Sequence, residues 1–280
     1  MTASDKVRIG VFDSGFGGLT VLRALLPQIP TAEFFYLGDT ARLPYGSKSQ
    51  ATVARYAVES AQLLESYGAD YLVIACNTAS ALALDAIKLA AHVPVLGVIE
   101  TGADSAAAAS RTRDVLVLAT QATVDSHAYA RACAAHDLRS IEKACPLLVP
   151  LIEEGWIDSP VTREVLRIYL EQAQTDGKAS GMTLDTVLLG CTHYPLLRAL
   201  LRESLPKDVT ILDSAESTAQ RVRTQLESLK SLPPSAMDAS DSSISVCHFF
   251  ATDSVEKFRT LGSRFLGRPI EKVELIDLGG

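Results

Sequence analysis

The sequence lacks the features that place a protein in or across a membrane. No apolar run approaches the ~20 residues that a transmembrane helix needs. The N-terminal segment MTASDKVRIGVFDSG contains no apolar stretch of about 7–15 residues after a basic start, which a signal peptide requires. We therefore expect a cytoplasmic protein with no membrane partner.

Positive charge is also scarce. The formal net charge is −7, and the Lys and Arg residues are scattered without a basic cluster. Because a nucleic-acid-binding surface needs a basic stripe or patch, we expect no nucleic-acid partner. A hydrophobic content of 48% with 21% charged residues is ordinary for a soluble globular chain.

Cysteines are few, and no two of them lie close together in the sequence. The chain has an odd number of them and no CxxC motif: Cys76, Cys133, Cys145, Cys191 and Cys247. This pattern indicates reduced thiols rather than a disulfide framework. Structural zinc sites usually contain CxxC-type knuckles. A zinc site built from Cys76, Cys191, His193 and a carboxylate is therefore a weak alternative, and we expect no metal.

A nucleotide-binding loop is only weakly indicated. The stretch GFGG at 15–18 is not followed by the Gly-Lys-Ser/Thr of a Walker loop, and Thr20 occupies the place of the last glycine in GxGxxG. The stretch follows Asp13 and Ser14, which end the first predicted strand. Asp13 is there either a helix N-cap or a catalytic partner at the edge of the sheet.

The sequence does contain a regular alternation of short apolar runs and amphipathic segments. Continuous apolar runs such as 71–75 and 186–189 predict strands that are buried on both faces. Segments with apolar residues three or four apart predict helices, among them 79–91, 124–135 and 194–205. The alternation is typical of an α/β fold with mainly parallel sheets.

Two places in the chain indicate how it is divided. At 280 residues, two modest domains or one large domain are expected. A fresh strand–helix series opens near 100–102, which predicts a boundary there. The polar stretch SLPPSAMDASDSS at 231–243 predicts a surface loop, because a strand and a helix resume after it.

The most specific feature is a motif that occurs twice. LVIACNTAS at 72–80 and VLLGCTHYP at 187–195 each run from an apolar strand into a cysteine, Cys76 or Cys191. Ligands of parallel sheets bind beyond the carboxyl ends of the strands. Since helix N-termini stabilise anions, we expect the pKa of both thiols to fall below about 8.5. Polar residues that follow offer hydrogen-bond donors to a small anionic ligand: Asn77, Thr78 and Thr192.

Two facing thiols suit the inversion of a carbon that bears an acidic C–H. One group must remove the proton from one face while another delivers a proton to the opposite face. Cysteine suits both roles, because its thiolate is a base and its thiol an acid near neutral pH. His193 follows Cys191 by two residues and is close enough along the turn to set its protonation state. Inert packing and a thiol-based binding or redox module remain alternatives.

Other polar or flexible positions follow strands or stand in loops. They are Asp39, Tyr45, Gly46, Thr120, Thr123, Glu153 and Glu154. Each also has an ordinary interpretation. The segment 38–49 would be a connecting turn, the threonines would be helix caps, and the glutamates would be surface charges.

Together these motifs resemble those of the glutamate racemases, within the aspartate/glutamate racemase superfamily. The resemblance runs almost end to end and covers DSGxGG (13–18), GDT…PYG (38–46), ACNTAS (75–80), CPLLVPLIEEG (145–155), GCTHYPLL (190–197) and HFFATD…EKF…FLG (248–267). The THYP form after the second cysteine favours the glutamate enzymes over aspartate or hydantoin racemases. An aspartate racemase is the main alternative within the superfamily.

The resemblance implies an architecture and a reaction. It implies two α/β domains, 1–99 plus 212–280 and 100–211, with the substrate cleft between them. It implies racemisation of glutamate without a cofactor, in which Cys76 and Cys191 face opposite sides of the α-carbon. One cysteine would deprotonate the D-enantiomer and the other the L-enantiomer. The product would be D-glutamate for peptidoglycan, made in the cytoplasm without pyridoxal phosphate.

The resemblance also implies roles for individual residues. Asp13 would assist Cys76, while His193 and Glu153 would assist Cys191. Matched positions would bind the substrate: Asp13, Ser14, Tyr45, Gly46, Asn77, Thr78, Thr192 and His193, with Thr120 and Thr123 as further candidates. The oligomeric state stays open, with a homodimer as one option.

Overall fold

The structure, a computed structural model, describes residues 6–229 and 245–278. The polar segment 231–243, predicted as a surface loop, lies outside the described residues. Within the described ranges, strands and helices alternate along the chain. None of the helices found there is long and apolar enough to cross a membrane.

The strands are short, and those at the centre of each sheet are buried on both faces. In chain order they are β1 (Arg8–Asp13), β2 (Glu33–Gly38), β3 (Tyr71–Ile74), β4 (Val95–Gly97), β5 (Asp114–Ala119), β6 (Arg139–Ala144), β7 (Thr186–Gly190), β8 (Thr210–Asp213), β9 (Val246–Ala251) and β10 (Glu274–Leu275). Every residue of β3, β5 and β7 is buried. Their continuous apolar sequences are what burial on both faces requires.

Helices connect the strands. In chain order they are α1 (Leu19–Gln28), α2 (Gln50–Ser66), α3 (Asn77–Leu82), α4 (Leu84–Ala90), α5 (Val98–Ala109), α6 (Gln121–Asp125), α7 (Ala128–Ala134), α8 (Leu148–Glu153), α9 (Pro160–Ala179), α10 (Arg198–Ser204), α11 (Ala215–Ser228) and α12 (Val255–Leu266). Local sequence sets several of their starts. Ser49 caps α2 by accepting a hydrogen bond from the N–H of Thr52, and Ser159 caps α9 just before Pro160.

The described strands form two parallel sheets. The first has the order β10-β9-β2-β1-β3-β4, and the second has the order β6-β5-β7-β8. All of the described pairings are parallel, so the predicted α/β fold with mainly parallel sheets is confirmed. β1 and β3 are neighbours, as are β5 and β7. The segments that follow these strands therefore emerge side by side at the carboxyl edge of each sheet.

The C-terminal segment contributes to the first sheet. β9 pairs with β2, and β10 pairs with β9, which supports a first domain completed by that segment. β8 pairs with β7 in the second sheet, and its range crosses the predicted boundary between 211 and 212. The domain boundaries themselves stay a prediction.

Helices cover both faces of the first sheet. α1 and α12 pack on one face, where Leu22 and Phe258 are fully buried. α2 packs on the other face through Val53 and Leu64, which are also fully buried. β1 and β3 are thus packed between two layers of helices. The loops at their carboxyl ends start from this packed sheet.

Several predicted elements differ in their details. The segment predicted as one helix at 124–135 is broken at His127, whose φ of 52° lies in the left-handed region. The segment 79–91 is interrupted at Ala83, and 194–205 begins as a 3₁₀ turn, Tyr194–Leu197. Apolar spacing shows which face is buried, but it does not reveal a single non-helical residue. β6 escaped prediction because it is an edge strand with the polar sequence RSIEKA and no apolar run.

Candidate active site

The first cysteine motif lies where β3 ends and α3 begins. Cys76 is the N-cap of α3, and its Sγ accepts a hydrogen bond from the N–H of Ala79 at 3.4 Å. The thiol lies 3.5 Å from the hydroxyl oxygen of Ser14, which follows β1. Because β1 and β3 are adjacent, the proximity of Ser14 and Cys76 follows from the order of the strands.

The second cysteine motif follows β7 in the other sheet. Cys191 Sγ lies 3.9 Å from Nδ1 of His193. The other ring nitrogen of His193, Nε2, lies 3.2 Å from Oε1 of Glu153, the last residue of α8. The interpretation of Glu153 as a surface charge is wrong, because its side chain is only 12% exposed. A chain of contacts thus runs from Glu153 through His193 to the sulfur of Cys191.

Asp13 contacts the second motif. It is fully buried at the end of β1, and its Oδ2 accepts a hydrogen bond from the N–H of Gly15 at 2.9 Å. Its Oδ1 lies 3.5 Å from the hydroxyl of Thr192, which donates to it from the second sheet. Gly18, rather than Asp13, occupies the cap position of α1. The carboxylate of Asp13 therefore contacts the loop that carries Cys191.

A single small cavity contains both thiols, and we call it the thiol cavity. Its volume is about 40 Å³. The described residues that line it come from segments that follow strands of both sheets: Ser14, Gly15, Leu43, Pro44, Gly46, Cys76, Asn77, Thr78, Thr120, Val149, Glu153, Cys191, Thr192 and His193. Pockets that enclose ligands usually measure about 300–1,000 Å³, so the walls of this cavity must move apart to admit even a small molecule.

Two threonines, Thr78 and Thr120, line the thiol cavity, and a third, Thr123, contacts both of them. Thr78 Oγ1 lies 2.9 Å from Thr120 Oγ1 and 3.2 Å from Thr123 Oγ1. Thr120 and Thr123 are 2.9 Å apart at the same atoms. Thr120 also caps α6, as its ordinary interpretation predicts. Each hydroxyl has one donor and two acceptor sites, so the three hydroxyls satisfy one another, and those of Thr78 and Thr120 belong to residues that line the cavity.

Asp13, Thr123 and Tyr45 are predicted contacts that do not line the cavity, and the hydroxyl of Tyr45 is engaged elsewhere. The Tyr45 side chain is buried, and its hydroxyl donates to Oδ2 of Asp39 at 2.5 Å. Its ring packs at 6.2 Å from that of Phe12. The neighbouring Gly46 does line the cavity. A substrate-binding role for Tyr45 stays a prediction, and the structure directs its hydroxyl elsewhere.

The pKa of Cys76 differs from the expectation. Burial, followed by the charge of the nearby Asp13, raises the pKa of the Cys76 thiol to about 12. The expected fall below about 8.5 is therefore wrong for Cys76 in this closed arrangement. α3 spans only Asn77–Leu82, and its terminal N–H groups do not compensate for the loss of solvent around the sulfur.

The pKa of the His193 imidazole is raised, although burial alone would lower it. Burial lowers it, but the hydrogen bonds to Cys191 and Glu153 and the charges of those residues raise it to about 10. His193 is therefore an imidazolium at neutral pH. Burial opposes ionisation of Glu153 as well, yet the contacts with His193 and Lys257 lower its pKa below the ordinary value.

Asp13 is the remaining titratable group whose charge acts on both motifs, on Cys76 in the first and on His193 in the second. Burial raises the pKa of its carboxyl, while the charge of His193 and hydrogen bonds from the backbone of Gly18 and Gly15 lower it in part. Among residues 6–229 and 245–278, no group of three or more His, Cys, Asp or Glu side chains is arranged to hold a metal ion. The shifted pKa values of Asp13, Cys76 and His193 suit these groups to moving protons.

Gly17 is a functional position that the sequence did not single out. A Cβ at Gly17 would lie 2.7 Å from Nδ1 of His193, and closer still to Oγ1 of Thr192. Contacts this short do not occur between real side chains. The glycine-rich stretch 15–18, considered above as a weak nucleotide loop, therefore permits the close approach of the second cysteine motif.

Gly17→Ala is expected to lower kcat/KM for the racemisation that the resemblance implies by about 10- to 100-fold. The added methyl group displaces His193 and Thr192 by a fraction of an ångström or more. Steady-state kinetics of the purified variant measures this effect. Thermal unfolding of the same variant is the control for loss of the fold. An undiminished kcat/KM in a folded Gly17→Ala variant would contradict the steric role of Gly17.

Comparisons with known proteins agree on one family. The family model described as Asp/Glu/Hydantoin racemase matches residues 17–222. The chain is 52% identical to the glutamate racemase of Koribacter versatilis (strain Ellin345), over 97% of this chain and 98% of that protein.

Solved structures show the same relation. Glutamate racemase isoform RacE1 from Bacillus anthracis superposes with a TM-score of 0.87 at 35% identity, and 98% of each chain is covered. Glutamate racemase from Francisella tularensis subsp. tularensis SCHU S4, in complex with D-glutamate, superposes with a TM-score of 0.85 at 32% identity, again over 98% of each chain. The likeness thus includes both sheets and the loops around the thiol cavity.

Proposed function

The chain belongs to the Asp/Glu/Hydantoin racemase family, and we propose that within it the chain interconverts L-glutamate and D-glutamate by a two-base mechanism. The observation that carries this proposal is the thiol cavity. Cys76 from the first sheet and Cys191 from the second line the same small space, and each has its own titratable partner. Inert packing of the two cysteines does not require such partners.

The proton movements follow from the site. In one direction Cys76 begins as the thiol, the form that its raised pKa favours, and Cys191 acts as the base beside the His193 imidazolium. Cys191 takes the α-proton from one face of the substrate, and Cys76 delivers its proton to the opposite face. The reverse direction exchanges the two roles, and Asp13 assists Cys76 while Glu153 holds His193.

Glutamate is the proposed substrate because the relatives that match nearly the full length of the chain are named glutamate racemases. The described lining of the cavity contains no Lys or Arg. We infer that the substrate carboxylates are bound by neutral donors, which include the side chains of Ser14, Asn77, Thr78, Thr120 and Thr192 and backbone N–H groups. Thr123 would support Thr78 and Thr120 from behind.

The reaction also has a proposed place in the cell. D-glutamate made by this enzyme would supply peptidoglycan synthesis in the cytoplasm, and the reaction would need no cofactor. This part of the proposal rests on the resemblance to glutamate racemases. Whether the enzyme acts as a homodimer stays an open prediction.

A racemisation assay tests the proposed function. Purified enzyme without added cofactor is expected to convert either enantiomer of glutamate to the same equal mixture, followed by circular dichroism. Aspartate, the alternative substrate, is expected to react at least about 100-fold more slowly in kcat/KM. Faster turnover of aspartate would transfer the proposal to that substrate. A protein that promotes no solvent exchange at any amino-acid α-carbon would instead be the thiol binding or redox module.

A further inference from the structure

Helix α12 contacts the Cys191 half of the site although it belongs to the chain segment that completes the first sheet. It follows β9, whereas Glu153 and His193 are carried by segments of the second sheet. The ring of Phe265 meets the ring of His193 edge-on, with centroids 5.2 Å apart and planes at 75°. Nζ of Lys257 donates to Oε2 of Glu153 at 3.2 Å. One helix thus touches both partners of Cys191.

The carboxylate of Glu153 is held at both oxygens. Oε1 faces Nε2 of His193 at 3.2 Å, and Oε2 accepts from Lys257. A carboxylate bound at one oxygen only is free to rotate about its terminal torsion, which is broad for glutamate. The second contact removes that freedom and keeps Oε1 directed at the imidazolium.

We propose that Lys257 is a positioning residue for racemisation, which fixes Glu153 and through it the orientation of His193 beside Cys191. The proposal rests on the proposed function given above. Lys257 does not line the thiol cavity, so it acts on the reaction through Glu153.

The charges and solvent around Glu153 and His193 determine how much the loss of Lys257 should change catalysis and folding. The titratable groups that face the Glu153–His193 pair are Lys257 from α12, Cys191 after β7 and Asp13 after β1. Lys257 is 43% exposed, so solvent screens its charge, and an ordinary surface ion pair contributes little to stability. We therefore expect a moderate effect on catalysis and a small one on folding.

Lys257→Met tests the proposal, because it keeps the length of the side chain and removes the charge. We expect kcat/KM for glutamate to fall about three- to tenfold, mostly in kcat. Glu153 acts as the carboxylate, a form lost as pH falls through its pKa. Without Lys257 that pKa rises, so the acid limb of the pH profile should move to higher pH. Lys257→Arg should restore both properties.

Arg259→Met is the matched control. Arg259 lies on the same helix, is similarly exposed and pairs only with Glu256 among the described contacts, so the same loss of charge there should leave kcat/KM and the pH profile as in the wild type. A double-mutant cycle gives the sharper test. In a Glu153→Gln background, Lys257→Met should cause no further loss, because its target is already altered.

The outcomes separate the two proposals. If the wild type racemises glutamate and Lys257→Met matches it in kcat/KM and in the acid limb, the positioning role is overturned while the proposed function stands. Equal losses from Lys257→Met with and without Glu153→Gln would overturn it too. If the wild type does not racemise glutamate, both proposals fail together. Loss of coupling in the cycle, with rescue by Lys257→Arg, supports the positioning role.

Discussion

Replacing either Cys76 or Cys191 by alanine is expected to lower the rate of glutamate interconversion by at least about 10³-fold, because each direction needs one thiol as base and the other as acid. The loss should be similar for both variants and for both starting enantiomers. Racemisation followed by circular dichroism measures it. Since both thiols are buried, circular dichroism and thermal unfolding must show that each variant retains the fold.

Cys247→Ala is the matched control for these variants. Cys247 lies on β9 away from the thiol cavity and is only partly buried, so its replacement should leave the rate within about twofold of the wild type. Undiminished racemisation by either cavity variant would contradict the two-base mechanism. It would favour inert packing for the cysteine concerned.

The second large effect is expected at His193. His193→Asn should lower kcat/KM by about 10²- to 10³-fold, because asparagine can neither carry the charge beside Cys191 nor exchange a proton with it. In the wild type, the imidazolium is present below its raised pKa of about 10. The wild-type rate should therefore fall as pH rises through about 10, and this limb should be absent from the profile of the variant.

The pH dependence of the free energy of unfolding gives an independent measure of the charge on His193. The pKa of His193 is about 10 in the folded protein against 6.5 for the free side chain. Its contribution to the free energy of unfolding is therefore fully present below about pH 6.5 and is lost as pH rises through about 10. Urea unfolding between these pH values should show a decline in the wild type that is weaker in His193→Asn. Parallel declines in the two proteins would contradict the assigned charge state.

Much of the site could be predicted from the sequence, and the reason is geometric. Parallel strands buried on both faces leave continuous apolar runs, and their carboxyl ends meet at one edge of a sheet. The sequence alone therefore places Cys76 after β3 and Cys191 after β7, each at the carboxyl edge of its sheet. Ser14 and Asp13 followed from the end of β1 in the same way.

The remaining features depend on distances between segments far apart in the chain. The sequence does not show how deeply Cys76 is buried, so the effect of burial on its pKa was missed. Tyr45 matches a family motif, yet its hydroxyl turns to Asp39. The steric role of Gly17 depends on the approach of Thr192, and the positioning role proposed for Lys257 depends on the approach of Glu153. A pattern read along one strand or helix contains none of these contacts.

The most direct test of the two-base mechanism is proton exchange at the α-carbon in deuterated water. Early in the reaction of L-glutamate, the D-glutamate formed should contain deuterium at the α-carbon, while the recovered L-glutamate should retain its proton. That result requires the proton to leave to one group and a deuteron to arrive from another. Deuterium appearing in the recovered L-glutamate as fast as in the product, or D-glutamate that keeps the original proton, would show that a single base serves both faces.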